Sequence, residues 1–262
     1  MSTLILNTKE TNKTANQEIR DLYLDLMHRC LLNLIYGDPG QDPWSGQTYN
    51  PQLRLYGRDW PSVAHTMIGH HRMLNLRLVM EYVIENNIPG DFIETGVWRG
   101  GACIYARAIL KAFGDTQRKV WVADSFEGLP KPDESNYPAD KGDKHHTYEQ
   151  LCISLDEVKN NFALYDLLDD QVQFLKGWFK DTLPTAPIDQ LAVLRLDGDM
   201  YESTMDGLNN LYHKVSPGGF VIVDDYGAVP ACAKAVNDFR EQEGITDPIV
   251  NIDNIGVYWQ KT

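Results

Sequence analysis

The four cysteines, Cys30, Cys103, Cys152 and Cys232, show no C-x-x-C spacing, so neither a zinc cluster nor a disulfide framework is signalled. Cys30 and Cys103 stand in apolar stretches and read as small core residues. Positive charge is scarce: 24 Lys+Arg face 37 Asp+Glu. The formal net charge of −13 speaks against nucleic acid or an anionic membrane as partner, because both require a basic footprint. No run of about eighteen apolar residues occurs, which leaves nothing to span a bilayer as a helix. Leu4-Ile5-Leu6 is too short for a signal-peptide core and lacks a small-residue cleavage site. A cytoplasmic protein is expected. Internal repeats and low-complexity tracts are missing too.

At 262 residues the chain suffices for one sizeable domain with an added cap. Residues 1–15 read as a flexible N-terminus, 16–88 as a helical cap with a lid, and 89–262 as the core. Apolar residues from Ile19 to Ile35 recur at helical spacing until Gly37-Asp-Pro-Gly40 stops them. Residues 37–64 hold Trp44, Tyr49, Tyr56 and Trp60 without a sustained period. A connection of that length is a lid or binding loop, or a surface meander held down by its aromatics. A helix is predicted from about His71 to Asn86; His65, His70 and His71 beside it lack the shared-face spacing of a metal site. Regular alternation follows: strands at 91–94, 119–123, 172–175, 193–196 and 219–223, separated by single helices, and two closing strands at 249–252 and 257–259. That order predicts an α/β protein with a mostly parallel, doubly wound sheet of seven strands, helices on both faces and an antiparallel end.

Two strand tips carry carboxylates. Val193-Leu-Arg-Leu196 reads as a strand buried on both faces and stops at Asp197-Gly-Asp199; Gly219-Phe-Val-Ile-Val223 stops at Asp224-Asp225. If these strands are parallel neighbours, Asp197, Asp224 and Asp225 converge at one edge, where open α/β sheets do their chemistry. Three such carboxylates repel unless a cation sits between them, and hard oxygen donors suit Mg²⁺. Asp199 is either a second acid of this site or the cap of the next helix.

No G-x-G-x-x-G fingerprint follows the first strand. Glu94-Thr-Gly-Val-Trp-Arg-Gly-Gly101 has its glycines at 96, 100 and 101 with an acid ahead of them, which would repel a pyrophosphate. A ligand with an amino group and no phosphate fits better, and Asp124 at the second strand tip suits a ribose diol. S-adenosylmethionine meets these conditions.

The wording of several motifs, Glu94-Thr-Gly-Val-Trp-Arg-Gly-Gly-Ala102, Trp121-Val-Ala-Asp-Ser-Phe126, Gly177-Trp-Phe-Lys-Asp-Thr182, Leu196-Asp-Gly-Asp199 and Val223-Asp-Asp-Tyr226, closely resembles the TylF/MycF family of macrocin-type O-methyltransferases. Ala64-His-Thr-Met-Ile-Gly69 and Gly256-Val-Tyr-Trp259 are similar to the family as well, so the resemblance runs from about Leu22 onward. It implies a Rossmann-like class I methyltransferase core over 89–262, an acceptor lid within 16–88, and a homodimer. It further implies S-adenosylmethionine contacts at Thr66, Met67, Glu94, Thr95, Gly96, Val97, Trp98, Asp124, Ser125, Gly177 and Trp178, and Mg²⁺ held by Asp197, Asp224 and Asp225. Family members methylate sugar hydroxyls of antibiotics, so the expected acceptor is a hydroxylated small molecule, with Asp197 the first choice to receive its proton.

His145 and His146 in the loop after the second strand are alternative acid–base groups, and Trp44, Tyr49 and Tyr56 are candidates to stack on the acceptor. A catechol methyltransferase would share the metal, and a nicotinamide-dependent sugar oxidoreductase would share the sheet. The second leaves the carboxylate cluster without a use.

Overall fold

The computed structural model describes residues 14–262. Its sheet comprises β1 (Asp91–Thr95), β2 (Val120–Asp124), β3 (Val172–Lys176), β4 (Leu191–Leu196), β5 (Val215–Val223), β6 (Val250–Asn251) and β7 (Val257–Gln260), in the order β3-β2-β1-β4-β5-β7-β6. The first five strands pair in parallel, and β7 is antiparallel to both β5 and β6. Crossovers long enough for a helix allow the parallel pairs; the short turn after β6 does not. The helices are α1 (Ala15–Leu31), α2 (Pro51–Leu55), α3 (Gly69–Glu85), α4 (Gly101–Phe113), α5 (Leu155–Leu164), α6 (Phe179–Thr182), α7 (Tyr201–Leu211) and α8 (Pro230–Gln242).

Alternation along the strands divides the core in two. Phe92, Val122, Val193, Phe220 and Ile222 face one cluster with Leu24, Met73, Ile104 and Phe162 of α1, α3, α4 and α5. Ile93, Ala123, Leu194, Val221 and Val223 face the other, with Leu208 of α7 and Val236 and Phe239 of α8. Both faces of the sheet are therefore covered, as the uninterrupted apolar strands require. Among the described residues, no helix is long and apolar enough to cross a membrane. The flexible stretch expected over 1–15 lies outside the described residues except for Thr14 and Ala15; Thr14 forms a capping box with Gln17 at the start of α1.

Two elements differ from the sequence reading. β5 begins at Val215 rather than Gly219, because the sheet carries the Pro217-Gly218 turn signal through as an irregularity opposite Leu191 to Val193. Residues 37–64 are not a meander pinned by aromatics. They contain α2, and the completely buried Arg54 holds them: its guanidinium donates to Asp38 at 2.7 Å, to Asp59 at 2.9 Å and to the carbonyls of Leu32 and Asp38. A guanidinium is tolerated in such a place only when its fork is filled.

The histidines act in packing. His28 of α1 and His70 of α3 share a 2.9 Å hydrogen bond, and His65 meets the Tyr165 hydroxyl at 2.8 Å. Burial, with His70 as neighbour, lowers the His28 pKa to about 4. A histidine depressed in the folded state contributes stability that is complete above the unfolded value near 6.5 and is lost as pH falls toward 4. Urea denaturation at pH 7 and pH 5 should show the wild type losing about 2 kcal/mol more than His28→Gln. Equal losses would refute the assignment.

Candidate active site

The parallel ladder continues past the strands into their C-terminal tips. Gly96 N–H donates to the Ala123 carbonyl, Asp197 N–H to that of Thr95, Asp224 N–H to that of Leu196 and Gly177 N–H to that of Asp124, each at 2.9 Å. The first residues beyond the strands are thus fixed in register, and the acids of β1, β2, β4 and β5 stand side by side. One oxygen from each of Asp197, Asp224 and Asp225 falls within 4.8 Å of the others. Asp225 is oriented by the Asp199 N–H at 3.2 Å. Trp98, Phe126 and Asp199, in the turns after β1, β2 and β4, all adopt left-handed backbone conformations, a strain that concentrates at these tips.

Two buried guanidiniums lie among the acids. Arg195, 1 % exposed, donates through Nη1 to Glu94 and, at 2.6 Å, to Asp197, and through Nη2 to Asp224. Arg72 of α3 takes the other oxygen of Asp224, Asp253 at 3.1 Å and the Gly57 carbonyl at 3.3 Å. These two cations do not neutralise Glu94, Asp197, Asp199, Asp224 and Asp225. Burial pushes Glu94 and Asp199 up to about 7 and Asp224 up to about 6. Asp225 is raised well above the carboxylate range by burial and by Asp199, Asp197 and Asp224.

The glycine loop sits against this cluster. A Cβ on Gly96, whose φ is +85°, would lie 1.9 Å from the Asp197 carbonyl oxygen, so only glycine lets the β1 and β4 tips approach this closely. Asp124 receives the N–H groups of Val97 and Phe126, each at 2.7 Å, and fixes the loop from below. Glu94 accepts from the Cys103 thiol at 2.9 Å. Gly101 N–H donates to the His65 carbonyl, which brings Thr66 and Met67 alongside. A cavity of about 740 Å³ joins these parts; it is lined by Thr66, Met67, Glu94, Gly96, Val97, Trp98, Asp124, Ser125, Trp178 and the three clustered aspartates. The open crevice above β1 and β4 is where α/β sheets of this order bind ligands.

The family model described as macrocin O-methyltransferase (TylF) matches residues 20–261. The chain belongs to that family. It is 53% identical over 266 residues, all of both chains, to the demethyldecarbamoylnovobiocin O-methyltransferase of Streptomyces niveus. It is also 53% identical over 258 residues to the 8-demethyl-8-(2,3-dimethoxy-α-L-rhamnosyl)-tetracenomycin-C 4′-O-methyltransferase of Streptomyces olivaceus, covering 94% of this chain and 95% of that one. The solved structure of the O-methyltransferase NovP superposes with a TM-score of 0.89 at 56% identity, over 93% of this chain and 99% of NovP. The protein is accordingly an S-adenosylmethionine-dependent O-methyltransferase with the Rossmann-like class I fold.

Within this TylF-family cavity the sequence expectations separate. Thr95, 1 % exposed, and Gly177 do not line it: Thr95 turns toward α7 beside Gly207, and Gly177, with φ +140°, shapes the turn into α6. Of the aromatics expected at the acceptor, Trp44 lines the cavity and Tyr49 and Tyr56 do not. Tyr49 packs on Gly37 and lies near Arg54, and Tyr56 lies against the His71 ring. Trp60 lines the wall beside Trp44 and touches Tyr148 edge to face. His145 reaches the cavity, tied to Asp143 at 2.6 Å, which raises its pKa; His146 does not reach it. Asp199 does not cap α7. That role falls to Asp140, 2 % exposed, which accepts from Tyr201 N–H at 2.6 Å and Glu202 N–H at 3.0 Å.

Arg72, Arg195 and Asp140 went unnoticed in the sequence. For Arg195 a signal existed: a lone arginine inside an otherwise apolar strand, two residues before Asp197 and so on the same face. Gly96→Ala should reduce S-adenosylhomocysteine affinity by more than tenfold in calorimetric titration while far-UV circular dichroism is retained. Unchanged affinity would mean that the close approach of Gly96 and Asp197 is not needed to form the site.

Proposed function

We propose that this methyltransferase places its methyl group on a sugar hydroxyl of a glycosylated small molecule, aided by a divalent cation, Mg²⁺ by preference, at Asp197, Asp224 and Asp225. The observation carrying this reading is the convergence of those carboxylates beside the Glu94–Trp98 turn in one cavity. The donor set fits the ion. Mg²⁺ takes oxygen ligands, and one oxygen from each of the three carboxylates lies within 4.8 Å of the others, so Asp197, Asp224 and Asp225 would hold it. Support for the sugar comes from the tetracenomycin relative, whose name specifies a rhamnosyl group and O4′.

When bound, S-adenosylmethionine supplies a methyl group on a positive sulfur, and the cation lowers the pKa of a nearby hydroxyl. The chain's own residues do the rest. Glu94 faces the cofactor's ammonium and Asp124 its ribose hydroxyls, while Thr66, Met67, Gly96, Val97, Trp98, Ser125 and Trp178 form the bed. Thr95 and Gly177 act through the backbone turns they set. Arg195 holds Oδ2 of Asp197, leaving Oδ1 without a hydrogen bond among the described residues, and Asp197 receives the acceptor's proton there. Residues 16–88 act as cap and acceptor lid, with Trp44 and Trp60 giving the sugar an apolar face. Much of the acceleration is then positioning.

Calorimetric titration of chelator-treated protein should show S-adenosylhomocysteine binding, and an acceptor from a panel of glycosylated antibiotics and catechols binding only when Mg²⁺ is added. Acceptor binding without Mg²⁺ would remove the cation from the proposal, and preference for catechols would replace the sugar. Asp197→Ala should lower kcat by about 10³-fold, within the range of general base catalysis, with the S-adenosylhomocysteine Kd changed less than about threefold.

We infer also that the protein forms a homodimer: Ile19, Leu22 and Leu26 of α1 stand exposed, an apolar stripe suited to a second copy. Light scattering should report twice the mass of one chain; a single-chain mass would refute this.

A further inference from the structure

The guanidinium of Arg195 is shared between the two ends of the cavity. Glu94, at its β1 end, is the acid proposed to face the cofactor; Asp197 and Asp224, at its β4 and β5 end, are acids proposed to hold the cation. Arg195 Nη1 serves Glu94 and Asp197, and Nη2 serves Asp224. With 1 % of its surface exposed it has no water to turn to, and its single positive charge is divided among three acids that it serves at the same time. Asp224 has a second cation in Arg72, and among the described residues Glu94 has the Cys103 thiol as its one other side-chain partner.

We propose that Arg195 is a positioning residue that couples cofactor and cation, each weakening the other's hold, by distributing one positive charge among Glu94, Asp197 and Asp224. This rests on the functional reading above. A cation at Asp197 and Asp224 satisfies those carboxylates and repels the guanidinium, whose charge then falls on Glu94. There it competes with the cofactor's ammonium for the same carboxylate. Linkage makes the effect reciprocal: an ammonium at Glu94 releases Arg195 toward Asp197 and Asp224, where it competes with the cation. The planar fork is essential, because the single ammonium nitrogen of a lysine lacks the two separated nitrogens with which Arg195 spans the three acids.

The test is the Kd of S-adenosylhomocysteine, by calorimetry, in chelator and in saturating Mg²⁺, for wild type and Arg195→Lys. Wild type should bind at least threefold more weakly in Mg²⁺. In Arg195→Lys, which retains the charge and loses the fork, the ratio should fall to near one with both ligands still binding. A coupling carried by direct repulsion between cation and ammonium would persist in the lysine variant and overturn the proposal. So would a wild-type ratio of one, or tighter binding in Mg²⁺. Should Arg195→Lys fail to fold, Glu94→Gln removes the cofactor end of the relay, and the effect of S-adenosylhomocysteine on the Mg²⁺ Kd should vanish in it; an unchanged effect refutes the relay. Failure of the wild type to bind S-adenosylhomocysteine or Mg²⁺ at all overturns the underlying assignment together with this proposal, whereas independent binding of both overturns the proposal alone.

Discussion

Burial of carboxylates that also repel one another, at the tips of β1, β4 and β5, is the constraint on which the rest of the molecule depends. Glu94, Asp197, Asp199, Asp224 and Asp225 crowd one crevice, and among the described residues Arg72 and Arg195 are the cations hydrogen-bonded to them. Carboxylates whose folded pKa is raised hold protons more tightly folded than unfolded, so they reduce stability as pH rises from the unfolded value near 4 toward their own. At neutral pH the cluster therefore opposes folding. Two apolar cores, one on each face of the sheet, offset it. The same excess of negative charge is what the proposed cation would meet, so the feature that costs stability is the one proposed to perform the function.

A parallel sheet with β1 beside β4 makes such crowding possible. Consecutive strands would separate the glycine loop from the aspartates; the order β3-β2-β1-β4-β5 sets them next to each other. Gly96 then decides how close they come, since a methyl group there would collide with the Asp197 backbone. Sheet order brings the tips near, and one missing side chain closes the remaining gap.

Much of this was legible beforehand. Apolar runs of strand length ending in Asp124, Asp197 and Asp224-Asp225 predicted a doubly wound sheet with acids at one edge, because strand tips in such sheets share an edge whatever the exact boundaries. What escaped were the groups whose partners are distant in sequence. Arg72 lies 152 residues from Asp224, and Asp140 lies 61 from Tyr201. No local pattern marks such pairs. Arg54 was hidden for another reason: in a segment full of Gly, Pro and Trp, a lone arginine reads as solvated, although it is completely buried and hydrogen-bonded to Asp38, Asp59 and the carbonyls of Leu32 and Asp38.

Both loop segments touch the glycine loop, through Trp98 on the Gln150 carbonyl and Arg99 on the carbonyls of Pro61 and Ala64, and both are anchored by buried charge. Arg54 ties residues 37–64 to the end of α1, while Asp140 ties residues 126–153 to the start of α7, directly after Asp197-Gly-Asp199. Trp60, itself edge to face with Trp44, meets Tyr148 edge to face and so joins the two segments. A loop held by a buried, hydrogen-bonded charge keeps its position when its apolar surface residues change, because the anchor is geometrically specific and the remainder is not. The wall that would face the acceptor is thus separable from the machinery beneath it. Its lining residues can differ without disturbing the register of the strand tips, which suits the proposed division in which the sheet fixes methyl transfer and the loops meet the acceptor.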